Sequence, residues 1–291
     1  MVKRISGRMI FQIINVSLLS LVALIVLFPL LYILASSFSS GEAVIMGKVW
    51  IFPYEFTLSA YEKVVQKSII WSGYLNTIYL TVFGTLFSMF ISICGAYPLS
   101  KKRLKTAPFF TLMILFTMWF NPGQIPVYLN LKSLGMLNSI NAIIVAFGIS
   151  AFNVVILKSF FQSIPESLEE AAIIDGANDF VVLGRIYLPL SIPTLVTITL
   201  FYALSRWNGY FWSMVLLKDD AKMPLQVILK KLIVETAATN QDTSIFDLGA
   251  DYSQETIIYA TIVISILPML VVYPFMQKYF VKGVMIGSVK G

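Results

Sequence analysis

The sequence contains no histidine and a single cysteine, Cys94. The missing histidines exclude metal sites of the Cys/His type and every histidine-based acid–base or Ser-His-Asp mechanism. One cysteine cannot form a disulfide within the chain, and Cys94 lies in the apolar run FSMFISICGAY, which favours a small packed side chain over a reactive thiol. The chain therefore lacks the side chains on which most hydrolytic and redox enzymes depend.

Charge is also scarce, since only 12% of the residues are charged, compared with about 25% in soluble domains. In contrast, 58% of the residues are hydrophobic. A single water-soluble globule could not bury so much apolar surface, which indicates an integral membrane protein. The net charge of +6 fits cytoplasmic loops beside anionic lipid. No basic cluster is interleaved with aromatic residues, so the sequence does not indicate a nucleic-acid partner.

An energy source for transport is missing as well. The sequence has no GxxxxGK[ST] phosphate-binding loop and no acidic residue inside an apolar segment, where proton relays lie. We therefore expect no enzymatic activity and no cofactor in this chain. A transporter of this composition needs another subunit to drive it, although ion coupling through backbone carbonyls, as in secondary transporters, stays open.

Six apolar segments approach the length of about 20 residues that a bilayer-spanning helix needs. They cover residues 13–35, 75–99, 109–119, 140–157, 188–204 and 257–275. The third is short, and the sequence NPGQIPVYL after it suggests a broken helix. We predict an all-α polytopic membrane protein with six transmembrane helices.

The basic residues of the loops predict the orientation. They precede the first segment, form the run KKRLK at 101–105 after the second, and follow the sixth. Both termini and the loop 163–189 are then cytoplasmic, while segments 36–73, 121–139 and 208–255 lie outside and carry short helices. The whole chain, 1–291, is predicted as a single transmembrane domain, with a first span and outer segment at 1–70, a core at 71–280 and a cytoplasmic tail at 281–291.

The polar segment 163–189 interrupts this apolar chain. Ser163 and Glu166 match a capping box, and Gly176 is suited to the left-handed conformation that ends a helix. Asn178 or Asp179 is then placed to cap a second short helix at 180–187. These features fit an ordinary capped loop and a docking helix equally well.

A resemblance carried by the spacing within this segment favours the docking helix. The segment matches the signature EAA---G---------I-LP without a gap, at Glu170-Ala171-Ala172, Gly176, Ile186 and Leu188-Pro189. This signature is found in the membrane subunits of bacterial ABC importers. With FTLSAYEKV, AYPLSKKRLK and IPVYLNLKSLGMLNS, the sequence from Phe11 onwards resembles the permeases of carbohydrate-uptake ABC importers. It resembles the maltose-type second permease and, more closely, the oligosaccharide permeases of Gram-positive bacteria.

This resemblance implies the type I importer fold in a bacterial cell membrane and a half-share of a translocation pathway for an oligosaccharide. The implied partners are a second, different permease, two ABC ATPase subunits that bind ATP and Mg, and an extracytoplasmic solute-binding lipoprotein. The implied ATPase-docking residues are Glu169, Glu170, Ala171, Ala172, Asp175 and Gly176. Ile186, Leu188 and Pro189 then anchor the loop to the fifth span, and residues 282–291 reach between ATPase subunits. The alternatives are a permease for another small solute and a secondary transporter.

Sugar sites combine aromatic side chains with amides and hydroxyls. The candidates for the substrate pathway are Asn153 in the fourth span and Tyr202, Trp207 and Asn208 near the outer end of the fifth. Asn153 alternatively makes a contact between helices, and the aromatic residues alternatively form a belt at the membrane interface.

Overall fold

The structure, a computed structural model, describes the backbone of residues 7–239 and 251–288 and the side chains of residues 7–235 and 251–274. In these ranges the chain is helical, and its only β contact is an isolated antiparallel bridge between Ser39 and Phe56. The predicted all-α class is confirmed.

Fourteen helices are used below, numbered along the described chain. They are α1 Gly7–Ser37, α2 Gly41–Ile45, α3 Ser59–Gln66, α4 Ser68–Ser100, α5 Ala107–Trp119, α6 Gln124–Ser133, α7 Ile140–Ala146, α8 Ala151–Ser163, α9 Glu166–Ile174, α10 Asp179–Leu190, α11 Ile192–Asn208, α12 Phe211–Leu216, α13 Leu225–Thr239 and α14 Gln254–Ser288. A single π-helical turn, Leu183–Tyr187, lies inside α10.

Three helices are long and apolar enough to cross a membrane: α1, α4 and the part of α14 from Gln254 to Pro274. With 31 residues, α1 is about 46 Å long at 1.5 Å per residue, more than the roughly 30 Å of a hydrocarbon core. These helices match the first, second and sixth predicted spans in position, and each begins before its predicted start.

The fourth and fifth predicted spans are not continuous helices, and the sequence prediction is wrong on this point. The axes of α7 and α8 differ by 50°, and those of α10 and α11 by 83°. The first break accompanies close packing, because a Cβ on Gly148 would lie 2.4 Å from Cε1 of Phe87. The second falls at Ser191, beyond the predicted start at Leu188, and Pro193 sits in the first turn of α11, where its missing N–H costs little.

The number of spans depends on these bends. Three helices can cross the bilayer by length and composition, or up to five if each bent pair is one span. The third predicted span corresponds to α5, which has only 13 residues. The total of six spans and the orientation of the termini stay predictions.

Packing divides the chain into two compact units, and the first combines residues up to Ile70 with Leu229–Leu267. Its core lies where the end of α1 meets α2, with Ala35, Ala43 and Val44 buried. Tyr259 on α14 packs against this cluster, and its ring lies edge-on to that of Tyr32 at 5.9 Å.

The second unit combines Trp71–Ile228 with the chain from Pro268 onwards. Its core joins four helices, α4, α8, α10 and α11. Phe161 on α8 is fully buried, as are Val182 on α10 and Ile198 on α11. Both sites described below are built on this unit. The prediction of a single domain stays a prediction.

Candidate functional site

The polar segment begins differently from the capping box that the sequence predicted. Ser163 is the last residue of α8, and its hydroxyl donates to the carbonyl of Phe160 at 2.7 Å. Pro165 occupies the N-cap position of α9 and offers no side-chain hydrogen bond. The prediction fails because a serine at a helix end can bond back along its own helix instead of capping the next one.

The end of α9 confirms the predicted glycine turn. Gly176 has φ +86°, and its N–H donates to the carbonyl of Ile173 at 3.0 Å. The next N–H, that of Ala177, donates to the carbonyl of Ala172 at 2.9 Å, which completes a Schellman motif. Asn178 then caps α10, since its side-chain oxygen accepts from the N–H of Val181 at 3.0 Å.

Three ion pairs tie this segment to the short connection between α4 and α5. Lys101 lies 2.6 Å from Glu169, and Lys102 lies 3.0 Å from Glu166. The third pair joins Arg103 to Asp179. Three consecutive basic residues therefore each bind one acidic side chain of the segment. From the sequence, these basic residues had served only to predict the orientation of the chain in the membrane.

The first pair is buried in an aromatic cage. The side chains of Lys101 and Glu169 are only 6% and 11% exposed. The ammonium lies 3.7 Å from the ring centre of Tyr187 and 4.1 Å from that of Tyr97, distances typical of cation–π contacts. The hydroxyl of Tyr187 donates to Glu169 at 2.8 Å, so both charges have polar partners.

These contacts shift the pKa of each charged group. Burial raises the pKa of Glu169, but hydrogen bonds from Lys101 and Tyr187 more than offset it and hold the pKa below its ordinary value. Burial lowers the pKa of Lys101, and the contact with Glu169 opposes that change. The hydrogen bond to Asp179 raises the pKa of Arg103. Glu169 is thus ionised at neutral pH and holds α9 in place.

The opposite side of α9 is bare. We call it the outward face of α9 and define it by the exposed residues Glu170, Ala171, Ile174 and Asp175. Ile174, a large apolar side chain, is 85% exposed. In the described part of the chain, neither carboxylate of this face has an ion-pair partner.

The other predicted loop residues lie closer to the body. Ala172, Ile186 and Leu188 are partly buried and pack against the core of the second unit, whereas Pro189 is exposed. Glu169 faces inward to Lys101 instead of sharing the outward face with Glu170. The predicted docking set is therefore divided between the two sides of the segment.

A second feature is a cavity of about 660 Å³ next to the bend between α7 and α8. Asn153, Tyr202 and Asn208, three of the four predicted pathway residues, line it. Trp207, the fourth, is buried and packs edge-on against Tyr74 at 5.9 Å. The structure thus brings three candidates together and places Trp207 elsewhere.

The sequence analysis missed Arg206, which also lines this cavity. Its guanidinium donates to the carbonyls of Ile143 and Phe147 and to the hydroxyl of Ser88. The available signal was its position one turn after Tyr202 on the same helix face. Tyr202 itself is fixed by hydrogen bonds with the hydroxyl of Ser92 at 2.7 Å and the N–H of Ser150 at 3.1 Å.

Comparison with known proteins places this architecture in a family. Residues 103–286 match the family model described as "Binding-protein-dependent transport system inner membrane component". The chain belongs to this family. It is a permease subunit, a multi-pass protein of the cell membrane, and it has the type I permease fold of ABC importers.

Individual relatives extend along the whole permease. It is 42% identical over 282 residues to YtcP of Bacillus subtilis (strain 168), named a polygalacturonan/rhamnogalacturonan transport system permease protein, with 97% of this chain and 99% of YtcP covered. LplC of the same organism is 41% identical over 288 residues, with 98% and 96% covered.

A solved structure agrees in fold and sequence. A chain in the crystal structure of a bacterial ABC transporter involved in the import of the acidic polysaccharide alginate matches with a TM-score of 0.86 and 46% identity. The alignment covers 93% of this permease and 96% of that chain.

Proposed function

We propose that this permease forms half of the pathway by which an ABC importer takes up an oligosaccharide. Its other half is a second, different permease, and an extracytoplasmic binding protein delivers the sugar. YtcP is named for polygalacturonan and rhamnogalacturonan, and the structural neighbour for alginate. These names support a carbohydrate as the substrate class.

Transport is driven by two ATPase subunits, which bind ATP and Mg. The permease needs them because its own sequence has no phosphate-binding loop. The observation that carries this proposal is the two-sided α9. One side is held by Glu166 and Glu169 against the chain's own lysines, and the outward face is acidic, apolar and bare. Such a rigid, partly apolar patch suits a protein groove with basic residues at its rim.

Two variants of the outward face test the contact. Glu170→Lys reverses the charge at an exposed position, so we expect loss of ATPase co-purification and of uptake while the permease still inserts. Gly176→Asp should act similarly, since a φ of +86° strains any residue with a Cβ and misplaces α9.

Glu62→Lys is the matched control, because Glu62 is an exposed helical glutamate on α3, far along the chain from α9. It should leave ATPase co-purification and uptake unchanged. Full co-purification and normal uptake in Glu170→Lys would contradict docking through this face. A calorimetric screen of the cognate binding protein with oligosaccharides tests the substrate class separately.

A further inference from the structure

Arg206 carries a charge for which the described chain provides no counter-ion. It lies on α11, in a segment that forms part of a candidate broken span. Its contacts are two carbonyl groups and one hydroxyl, and no carboxylate lies within ion-pair distance among the residues described. A charged residue in or near a span usually faces water or a water-filled cavity and marks a ligand or ion pathway, and Arg206, near the end of α11, lines a cavity.

The carbonyl contacts neutralise this charge only in part. Ile143 and Phe147 lie in the last turn of α7 and just after it, where a helix terminus carries a partial negative charge. These bonds fix the guanidinium at the cavity wall. They use one N–H of Nη1 and, with Ser88, both of Nη2. Nε packs against Gly84 of α4, so one Nη1–H stays available to a ligand.

The cavity around Arg206 suits a sugar. Its volume of about 660 Å³ lies within the roughly 300–1,000 Å³ of ligand sites. Aromatic rings line it, and those of Phe147 and Trp212 stack at 5.0 Å between centres. Asn153 and Asn208 add amide groups, which can donate to and accept from sugar hydroxyls.

The positive charge of Arg206 narrows the class of ligand that the cavity is suited to bind. Aromatic rings and amides serve a neutral sugar equally well. A fixed guanidinium without a counter-ion favours a carboxylate, to which its free Nη1–H donates in a charge-assisted hydrogen bond. We propose that Arg206 binds the carboxylate of a uronic acid residue in the cavity, which makes this permease selective for acidic oligosaccharides. This inference rests on the proposed function and adds the substrate's charge and the residue that reads it.

The same contacts also give Arg206 a structural role, since they hold the end of α7 beside α11. A purely structural role and carboxylate binding predict different results for two sugars that differ only in charge. Trigalacturonate and its fully methyl-esterified, neutral form are such a pair.

The test uses the complete importer in proteoliposomes with its binding protein. Arg206→Gln should lower uptake of trigalacturonate at least about tenfold, because the variant leaves the carboxylate of the sugar without its charged hydrogen-bond donor. Uptake of the methyl ester and ATP hydrolysis stimulated by the binding protein should stay within about twofold of wild type. Arg206→Lys should recover part of the trigalacturonate uptake. Lys222→Gln, which removes a partly buried lysine that does not line the cavity, should change uptake of neither sugar.

Three results would overturn the proposal. Equal loss of both sugars in Arg206→Gln, with intermediate equal loss in Arg206→Lys, would leave Arg206 a structural residue. Unchanged uptake of both sugars would exclude its contact with substrate. A wild-type importer that carries the ester but rejects trigalacturonate would exclude the acidic substrate while the proposed function stands. Failure of the permease to assemble with an ATPase would contradict the proposed function itself.

Discussion

At the scale of single residues, Lys101 and Lys102 form a natural comparison. They are neighbours, and each pairs with a glutamate of α9, yet the side chain of Lys101 is 6% exposed and that of Lys102 is 81% exposed. Removing one member of a buried pair leaves an uncompensated charge, whereas an exposed pair is screened by water. The two positions should therefore respond very differently to the same substitution.

We expect Lys101→Met to destabilise the permease by about 3 kcal/mol, because it leaves the carboxylate of Glu169 buried without its cation. The double variant Lys101→Met/Glu169→Leu should recover most of this loss, since both charges are then gone. Thermal unfolding of the purified complex measures both effects. Lys102→Met is the control, with an expected cost below about 1 kcal/mol. Equal effects at the two lysines would contradict the buried pair.

The lowered pKa of Glu169 predicts a pH dependence. Because the folded-state pKa lies below the ordinary value of 4.5, the folded protein binds this proton less readily than the unfolded chain. The stabilisation is therefore fully present above the ordinary value and is lost as the pH falls through the lowered pKa. Glu169→Gln should unfold at lower temperature than wild type at neutral pH, and the difference should shrink in acid. A difference that stays constant with pH would contradict this assignment.

At the scale of helices, the sequence predicted several features that depend only on neighbouring residues. The three long spans followed from continuous apolar runs, and the turn at Gly176 and the cap at Asn178 followed from residue types with few alternative uses. The bends did not, because the break near Gly148 accompanies contact with Phe87 on another helix. Pro193 was equally ambiguous, since proline in an apolar run fits both a kink inside a span and the first turn of a new helix.

At the scale of the whole molecule, the sequence predicted the transport class but not how the loop is held. The EAA spacing is local, and it marked α9 correctly. The three ion pairs join residues 64, 68 and 76 positions apart, so no local pattern connects them. The cavity shows the same limit. Asn153 and Tyr202 were selected by residue type. Arg206 could be recognised as a cavity residue only from its hydrogen bonds to the carbonyls at the end of α7.

The three ion pairs lead to a prediction about coupling. If ATPase subunits move α9, the movement reaches α4 most directly through the connection that contains Lys101, Lys102 and Arg103, because these residues hold α9 and the start of α10. The double variant Lys102→Ala/Arg103→Ala removes the two exposed pairs and keeps the buried pair of Lys101 with Glu169, so the outward face of α9 stays in place. We therefore expect normal ATPase co-purification, continued ATP hydrolysis, and uptake per ATP reduced several-fold, as for the loss of about 0.5–2 kcal/mol of coupling energy.

The control for this variant is Lys105→Ala, which removes the next basic residue of the same run. Lys105 has no ion pair within the described chain, so its loss tests the effect of charge alone. Uptake and ATP hydrolysis are measured together in proteoliposomes, since only their ratio separates weak coupling from poor assembly. An unchanged ratio in the double variant would show that α9 transmits its movement by another route, such as the packing of Ala172 on the core of the second unit.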